Sequence, residues 1–545
     1  MHMPNRLLVA VAVIAGSLAA QTPTITGIVN GASAIPPGLP NYAIAEGSIF
    51  VVYGTNLGAA APPGTLANEA TLPLPTTAGL AGTSITVTVN GVTLPVPMLY
   101  TVPGQVAAIM PSATPAGTGT LTVTYNGNSV TGPVTVAISA FGISNLRTPA
   151  GHEIPAVTFG TNQDELVSSV DAAAPGDILV MYGTGLGPSI GGVDTGVPIA
   201  GNLGTAPTVY VGGVPSTEVA YYGRSPSLPG LDQIVFTVPA NAPLGCQVSI
   251  VVETVNVGVP IVSNGPATAI GATDHTPCVD PVDAFTSLLT SASNSTILGI
   301  SLQQNTTFTS ATASTTSDAY QILAAQLTPT QFLDLSANMA ESSNNSCFSG
   351  FVPAVSPPAG LPPATFLNAG ASVTLTPPSG APVTIPAAAP GVYLATNSLG
   401  ILPGSWGFTA SGGAGVGPLN FSFPIPQPVT WTNQASLLGS TVTRANGLTI
   451  NWTGGNSSNG FVDIQGFAAN ATGTFLVGYD CSAPIAAGTF TVPPSILLQM
   501  PAGPGAQATL QVSTFALPLT TSPVTGFNAV VNFSQLQTLI PIVYK

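Results

Sequence analysis

The chain has 545 residues, among them 61 Gly and 54 Pro; 45% are hydrophobic and only 4% charged. Five Lys+Arg against 19 Asp+Glu give a formal net charge of −14, which excludes nucleic acid and anionic membrane surfaces as partners, since both call for a basic face to neutralise phosphate. Turn-rich, apolar and poor in helix formers, the composition is that of an all-β protein, and at roughly 100–200 residues per domain the length accommodates about three to four domains.

Residues 1–20 read as a secretory signal peptide: Arg6 precedes an apolar run from Leu7 to Ala15, and Ser17, Ala19 and Ala20 supply small residues for cleavage. No later run reaches about 18 consecutive apolar residues, so no membrane span is expected after signal removal. In an exported chain the four cysteines, Cys246, Cys278, Cys347 and Cys481, point to two disulfides with three possible connectivities. Proximity favours Cys246 with Cys278, which leaves Cys347 for Cys481. No pair has the short spacing of zinc ligands, and no metal or cofactor is expected.

Residues 47–58, GSIFVVYGTNLG, and 176–187, GDILVMYGTGLG, are near copies. Each is an apolar run rich in β-branched and aromatic residues that ends in Gly-Thr-x-Leu-Gly, which reads as a strand entering a turn. The order of later anchors repeats as well: Val89-Asn90-Gly91-Val92 matches Val211-Gly212-Gly213-Val214, and Pro103-Gly104 matches Pro229-Gly230. A spacing of about 122 to 129 residues makes the repeating unit a domain. Inside the first unit Ile85, Val87 and Val89 alternate with Ser84, Thr86 and Thr88, and Leu121, Val123 and Tyr125 alternate with Thr120, Thr122 and Thr124. One face of each strand belongs to a core, and Asn90-Gly91 and Asn126-Gly127 supply hairpin turns. Two β-sandwich domains are expected, 23–144 and 145–272.

Val29-Asn30-Gly31-Ala32-Ser33, both Tyr-Gly-Thr-x-Leu-Gly blocks, the Val-Asn-Gly-Val hairpin and Pro-Gly-Gln together resemble the uncharacterised repeat region of large secreted acidobacterial proteins. Each copy is also similar to the immunoglobulin-like TIG/IPT domain. The resemblance covers about residues 23–272 and implies an immunoglobulin-like fold and an exported context, with no activity or functional residues to transfer. Thr430-Trp431-Thr432-Asn433 and Asn451-Trp452-Thr453-Gly454-Gly455 resemble the tails of the same secreted proteins.

A linker is expected over 273–283, where Asp274, His275, Asp280 and Asp283 read as solvated charge because their spacing fits no calcium loop. A β-rich module is expected over 284–427, including two short helices at 318–327 and 331–339 capped by Ser317 and Thr330. Pro-rich residues 424–428 then mark a boundary before a C-terminal β-sandwich module over 428–545.

Catalytic patterns fail on inspection. Gly183-Thr184-Gly185-Leu186-Gly187 would need its third dinucleotide-loop glycine at Pro188, so it reads as a turn. His152-Glu153 begins like a zincin, but Ala156 stands where the second histidine belongs, and no Gly-x-Ser-x-Gly elbow supports a nucleophilic serine. Asp164, Glu165, Asp171 and Asp177 form the densest acidic group and read as a solvated loop. Trp406, Trp431 and Trp452 are the candidates for stacking on sugar rings, set against the commoner core role of tryptophan in a sandwich. The expectation is a secreted, multidomain surface or matrix interaction protein without catalytic activity, binding an extracellular protein or polysaccharide; the alternative is a carbohydrate-binding or carbohydrate-degrading protein.

Overall fold

The computed structural model describes residues 22–147, 153–273, 275–278, 295–328, 342–353, 365–397, 400–414, 416–455, 460–503, 507–516, 526–532 and 534–545. The expected signal peptide, the helix at 331–339, His152, and Asp274, Asp280 and Asp283 lie outside these residues.

Alternation becomes architecture in the first repeat. In the strand Thr83–Val89, Ile85, Val87 and Val89 are buried and Thr86 is exposed. The strand pairs antiparallel with Gly117–Tyr125, setting Ile85 opposite Val123 and Val87 opposite Leu121, so apolar side chains gather on one face of the sheet and hydroxyls on the other. That sheet runs Ile44–Ala45, Asn128–Ala137, Gly117–Tyr125, Thr83–Val89, Val92–Pro95. It faces a second sheet of Thr24–Asn30, Ile49–Thr55, Gln105–Ile109, Met98–Val102 and Asn68–Glu69, and Phe50, Val52, Val87 and Leu121 fill the space between them. Asn90 and Gly91 both take the left-handed φ, 49° and 79°, that a two-residue hairpin matching the strand twist requires.

The second repeat is built alike. Ile178–Thr184 is flanked by Val157–Phe159 and Asp232–Thr237 and takes Gly142–Ile143 at its end, while Gly245–Asn256 pairs with Thr208–Val211 and Val259–Val262. The kinship of the two Tyr-Gly-Thr blocks has a steric cause. A Cβ at Gly54 would collide with the carbonyl of Thr24, and one at Gly183 with the carbonyl of Gly142, because in each repeat the opening strand crosses there.

Residues after 294 differ from the sequence-based expectation. Ala313–Leu327 is a strand, not a helix over 318–327: Asp318, Tyr320, Ile322 and Ala324 point inward with period two, and the strand is paired on both sides, with Ser295–Ser310 and Val392–Asn397. Two ladders override the helix propensity of its Ala, Gln and Leu. Nor does residue 427 separate two sheets. Ser295–Ser310 lies parallel to Gln535–Tyr544, and Ser346–Pro353 pairs with Phe475–Pro484, so strands from both sides of that boundary are joined in one extended sheet. Two cores pack against it, one holding Leu298, Tyr320, Trp406 and Phe408, the other Trp431, Trp452, Ile464 and Val512. A three-stranded sheet of Val429–Trp431, Leu448–Gly454 and Thr489–Val492 covers the second.

The molecule is an all-β multidomain protein. Its cysteines pair as Cys246–Cys278 and Cys347–Cys481, the latter directly opposite each other across adjacent antiparallel strands. No helix among the described residues is long and apolar enough to cross a membrane.

Candidate functional site

In a chain with so few charges, the places where charged groups meet are informative. The most buried lies between the two repeats. Arg224 ends the strand Val219–Arg224, Asp232 opens Asp232–Thr237, and the register sets them opposite each other. They form an ion pair only 2% and 0% exposed. The guanidinium also donates to the carbonyls of Gly47 at 2.8 Å and Gly187 at 2.6 Å, and through Nε to Ser189 Oγ at 3.2 Å. Asp232 Oδ2 accepts from the backbone N–H of Gly185 and Leu186 at 2.7 and 2.8 Å. Burial pushes the Asp232 carboxyl up, against the pull of Arg224 and those two donors. Gly47 opens the first repeat block and Gly187 closes the second, so one side chain holds both copies.

Further bonds surround this knot. Ile49 N–H donates to Thr184 Oγ1 at 2.8 Å, Asn30 Nδ2 donates to the carbonyls of Ala140 and Thr184 at 3.2 Å, and Ser112 donates through N–H and Oγ to Asp194 at 2.8 and 2.6 Å. Sequence reasoning missed these residues as a group. The available signal was rarity: beyond Arg6 the chain has only Arg147, Arg224, Arg444 and Lys545 as fixed cations.

A second cluster brings together two groups that are distant in sequence. His275 Nδ1 lies 3.0 Å from Asp171 Oδ1 and 3.7 Å from Glu165 Oε1, with the Phe159 ring beneath the imidazole at a centroid distance of 4.2 Å. The segment carrying His275 is docked: its N–H donates to Ala172 O, Cys278 N–H donates to Ser169 O, both at 3.0 Å, and the Cys246–Cys278 disulfide follows. Described residues of the expected linker are therefore tied to the second repeat. The donor atoms of Glu165, Asp171 and His275 lie within 4.8 Å of one another, a mixed nitrogen and oxygen set of the kind that suits zinc-like cations; as it stands, the imidazole and Asp171 already satisfy each other as a hydrogen-bonded pair. Asp164 and Asp177 do not join it: Asp177 Oδ2 caps Ala174 N–H at 2.7 Å. His275 is the one histidine among the described residues, and its Nδ1 is engaged with Asp171.

The tryptophans correct the carbohydrate expectation. Trp406, Trp431 and Trp452 are all buried, and each indole N–H is satisfied within the fold, by Leu402 O at 2.7 Å, Asn433 Oδ1 at 2.9 Å and Ile485 O at 2.8 Å. They sit in two cores because their strands alternate and turn one face inward. None presents a ring for sugar to stack on.

No family model matches the chain, and no curated protein matches it. Among solved structures it is similar to a tandem pair of titin immunoglobulin domains, at 12% identity over 46% of this chain and 96% of that one, with a TM-score of 0.12. It is also similar to Sidekick-1 immunoglobulin domains 1–4, at 9% identity over 95% and 99% with a TM-score of 0.12, and to the Escherichia coli adhesin FdeC, at 14% identity over 69% and 93% with a TM-score of 0.14.

Proposed function

We propose that this chain is an exported, non-catalytic interaction protein, a braced array of immunoglobulin-like domains that holds its exposed loops and strand edges at fixed positions for an extracellular protein or polysaccharide. The observation that carries this reading is the Arg224 knot. A buried ion pair with additional bonds to both repeat blocks resists bending between domains, which is useful to a protein that presents a surface and irrelevant to one whose chemistry lies in a single cleft. Two disulfides support an oxidising, extracellular setting, as does the resemblance of residues 23–272 to acidobacterial secreted repeats. With Trp406, Trp431 and Trp452 in the core, the carbohydrate-binding alternative loses the rings that would have stacked on sugar.

The test is binding of the full chain to a panel of insoluble and soluble polysaccharides and of extracellular matrix proteins, with turnover of the polysaccharides measured in parallel. Saturable binding without product release supports the reading. Turnover that disappears on replacing one particular side chain would overturn it.

A further inference from the structure

Two acids lie inside the extended sheet. Asp463 is in the strand Gly460–Ala469 and Asp480 in its antiparallel neighbour Phe475–Pro484, with Asp463 opposite Ser482 and Gln465 opposite Asp480. Residues two apart on a strand share a face, so Asp463, Gln465, Asp480 and Ser482 make one polar patch. Pairing extends it to Ser346 on one side and Ser513 on the other, while the opposite face turns Ile464, Cys481 and Val512 into the apolar core. The patch is shut off from solvent: Asp463 and Ser482 are 0% exposed and Asp480 8%.

Its chemistry is a surplus of oxygen. Asp480 Oδ1 accepts from Ser342 Oγ at 3.1 Å and Oδ2 from Gln465 Nε2 at 2.8 Å; Ser513 Oγ donates to Asp463 Oδ2 at 2.9 Å. Burial pushes the Asp480 carboxyl up, and a hydrogen bond with Asp463 pulls the other way. None of the ion pairs among the described residues includes Asp480. An independent sign of a ligand lies on the same face as the acids: Ser482 Oγ is buried without a hydrogen-bond partner among the described residues, on a residue opposite Asp463 and two along from Asp480. Asn344 Oδ1 is also without a partner among the described residues, on a residue bridged to Ser482 through the backbone.

We propose that Asp463, Asp480 and Ser482 form a buried site for a divalent calcium ion. Carboxylate, hydroxyl and amide oxygens with no nitrogen or sulfur are the donors of a hard cation, and calcium accepts six to eight oxygens in irregular geometry where magnesium demands a near-ideal octahedron. There the two carboxylates balance the ion's two positive charges. The site also lies on a seam. Ser342 belongs to the turn in which Ser343 exchanges hydrogen bonds with Gln247 and Ser346 Oγ accepts from Ser249 N–H, so calcium tightens the union of the second repeat with the C-terminal sheet. This goes beyond the reading of the chain as an interaction protein and stands or falls separately from it.

The test uses the full chain, stripped with chelator and dialysed, melted with and without about 10 mM calcium or magnesium chloride. Extracellular calcium sites dissociate at about 10⁻⁴–10⁻³ M, so calcium is expected to raise the melting temperature by about 3–10 °C and magnesium by less. Asp480→Asn abolishes the rise; Asp171→Asn, in the surface cluster, keeps it. Calorimetric titration with calcium chloride reads one ion bound per chain, with affinity at least about tenfold weaker in Ser482→Ala; this serves equally if Asp480→Asn does not fold. No calcium-dependent rise in the wild type, a rise undiminished in Asp480→Asn, or an unchanged affinity in Ser482→Ala overturns the proposal.

Discussion

Arg224 is the residue on which the arrangement of the two repeats rests. Removing one partner of a buried ion pair strands the other, at a typical cost of about 3–5 kcal/mol, and Arg224→Ala also releases the carbonyls of Gly47 and Gly187. Urea unfolding of the variant is expected to show a loss of that size. Replacing both partners by apolar residues often restores stability elsewhere, but here Arg224→Met with Asp232→Leu leaves the Gly185 and Leu186 N–H groups and two carbonyls unpartnered. The double variant is therefore expected to remain destabilised, and recovery to wild-type stability would show that the pair serves no backbone group. None of this was legible in the sequence, where Arg224 is one cation among four beyond Arg6. Its burial depends on the first repeat delivering Gly47 from 177 residues away.

At the scale of elements, local pattern was legible and long-range pairing was not. Thr83–Val89 and Gly117–Tyr125 announce themselves because each buries one face, and Asn90-Gly91 because few residues besides Asn and Gly take left-handed φ readily. Residues 318–327 mislead because their Ala, Gln and Leu favour helix, while the strands that recruit them come from 295–310 and 392–397. The pairing of Ser295–Ser310 with Gln535–Tyr544 leaves no local trace at all. It follows that a fragment of residues 284–427 lacks a neighbour for a central strand and is expected to be unfolded by circular dichroism. The same geometry gives the Cys347–Cys481 bond a sequence separation of 134 residues, worth about 5 kcal/mol in the chain-entropy model against about 4 kcal/mol for Cys246–Cys278 at 32. Cys347→Ser with Cys481→Ser is expected to lower stability more than the other pair of replacements, as read by denaturant midpoints.

For the whole molecule, charge sets the response to pH. Burial raises the carboxyls of Glu46 and Asp480 above their ordinary values, so the folded chain holds these protons more tightly than the unfolded one. Their contribution is fully present below the unfolded values and is lost as pH rises through the folded ones. With a net charge of −14, acid also relieves self-repulsion. In chelator, the melting temperature is expected to rise from pH 7 to about pH 5, the reverse of ordinary acid denaturation, and calorimetry at the two pH values decides it.

A fixed relation between the repeats is the central claim, and small-angle X-ray scattering of the full chain compared with Arg224→Ala tests it most directly. A wild-type profile that fits one rigid particle, with added flexibility and a larger maximum dimension in the variant, is the expected result. A wild-type profile already requiring an ensemble of inter-repeat angles, unchanged by the substitution, would contradict it.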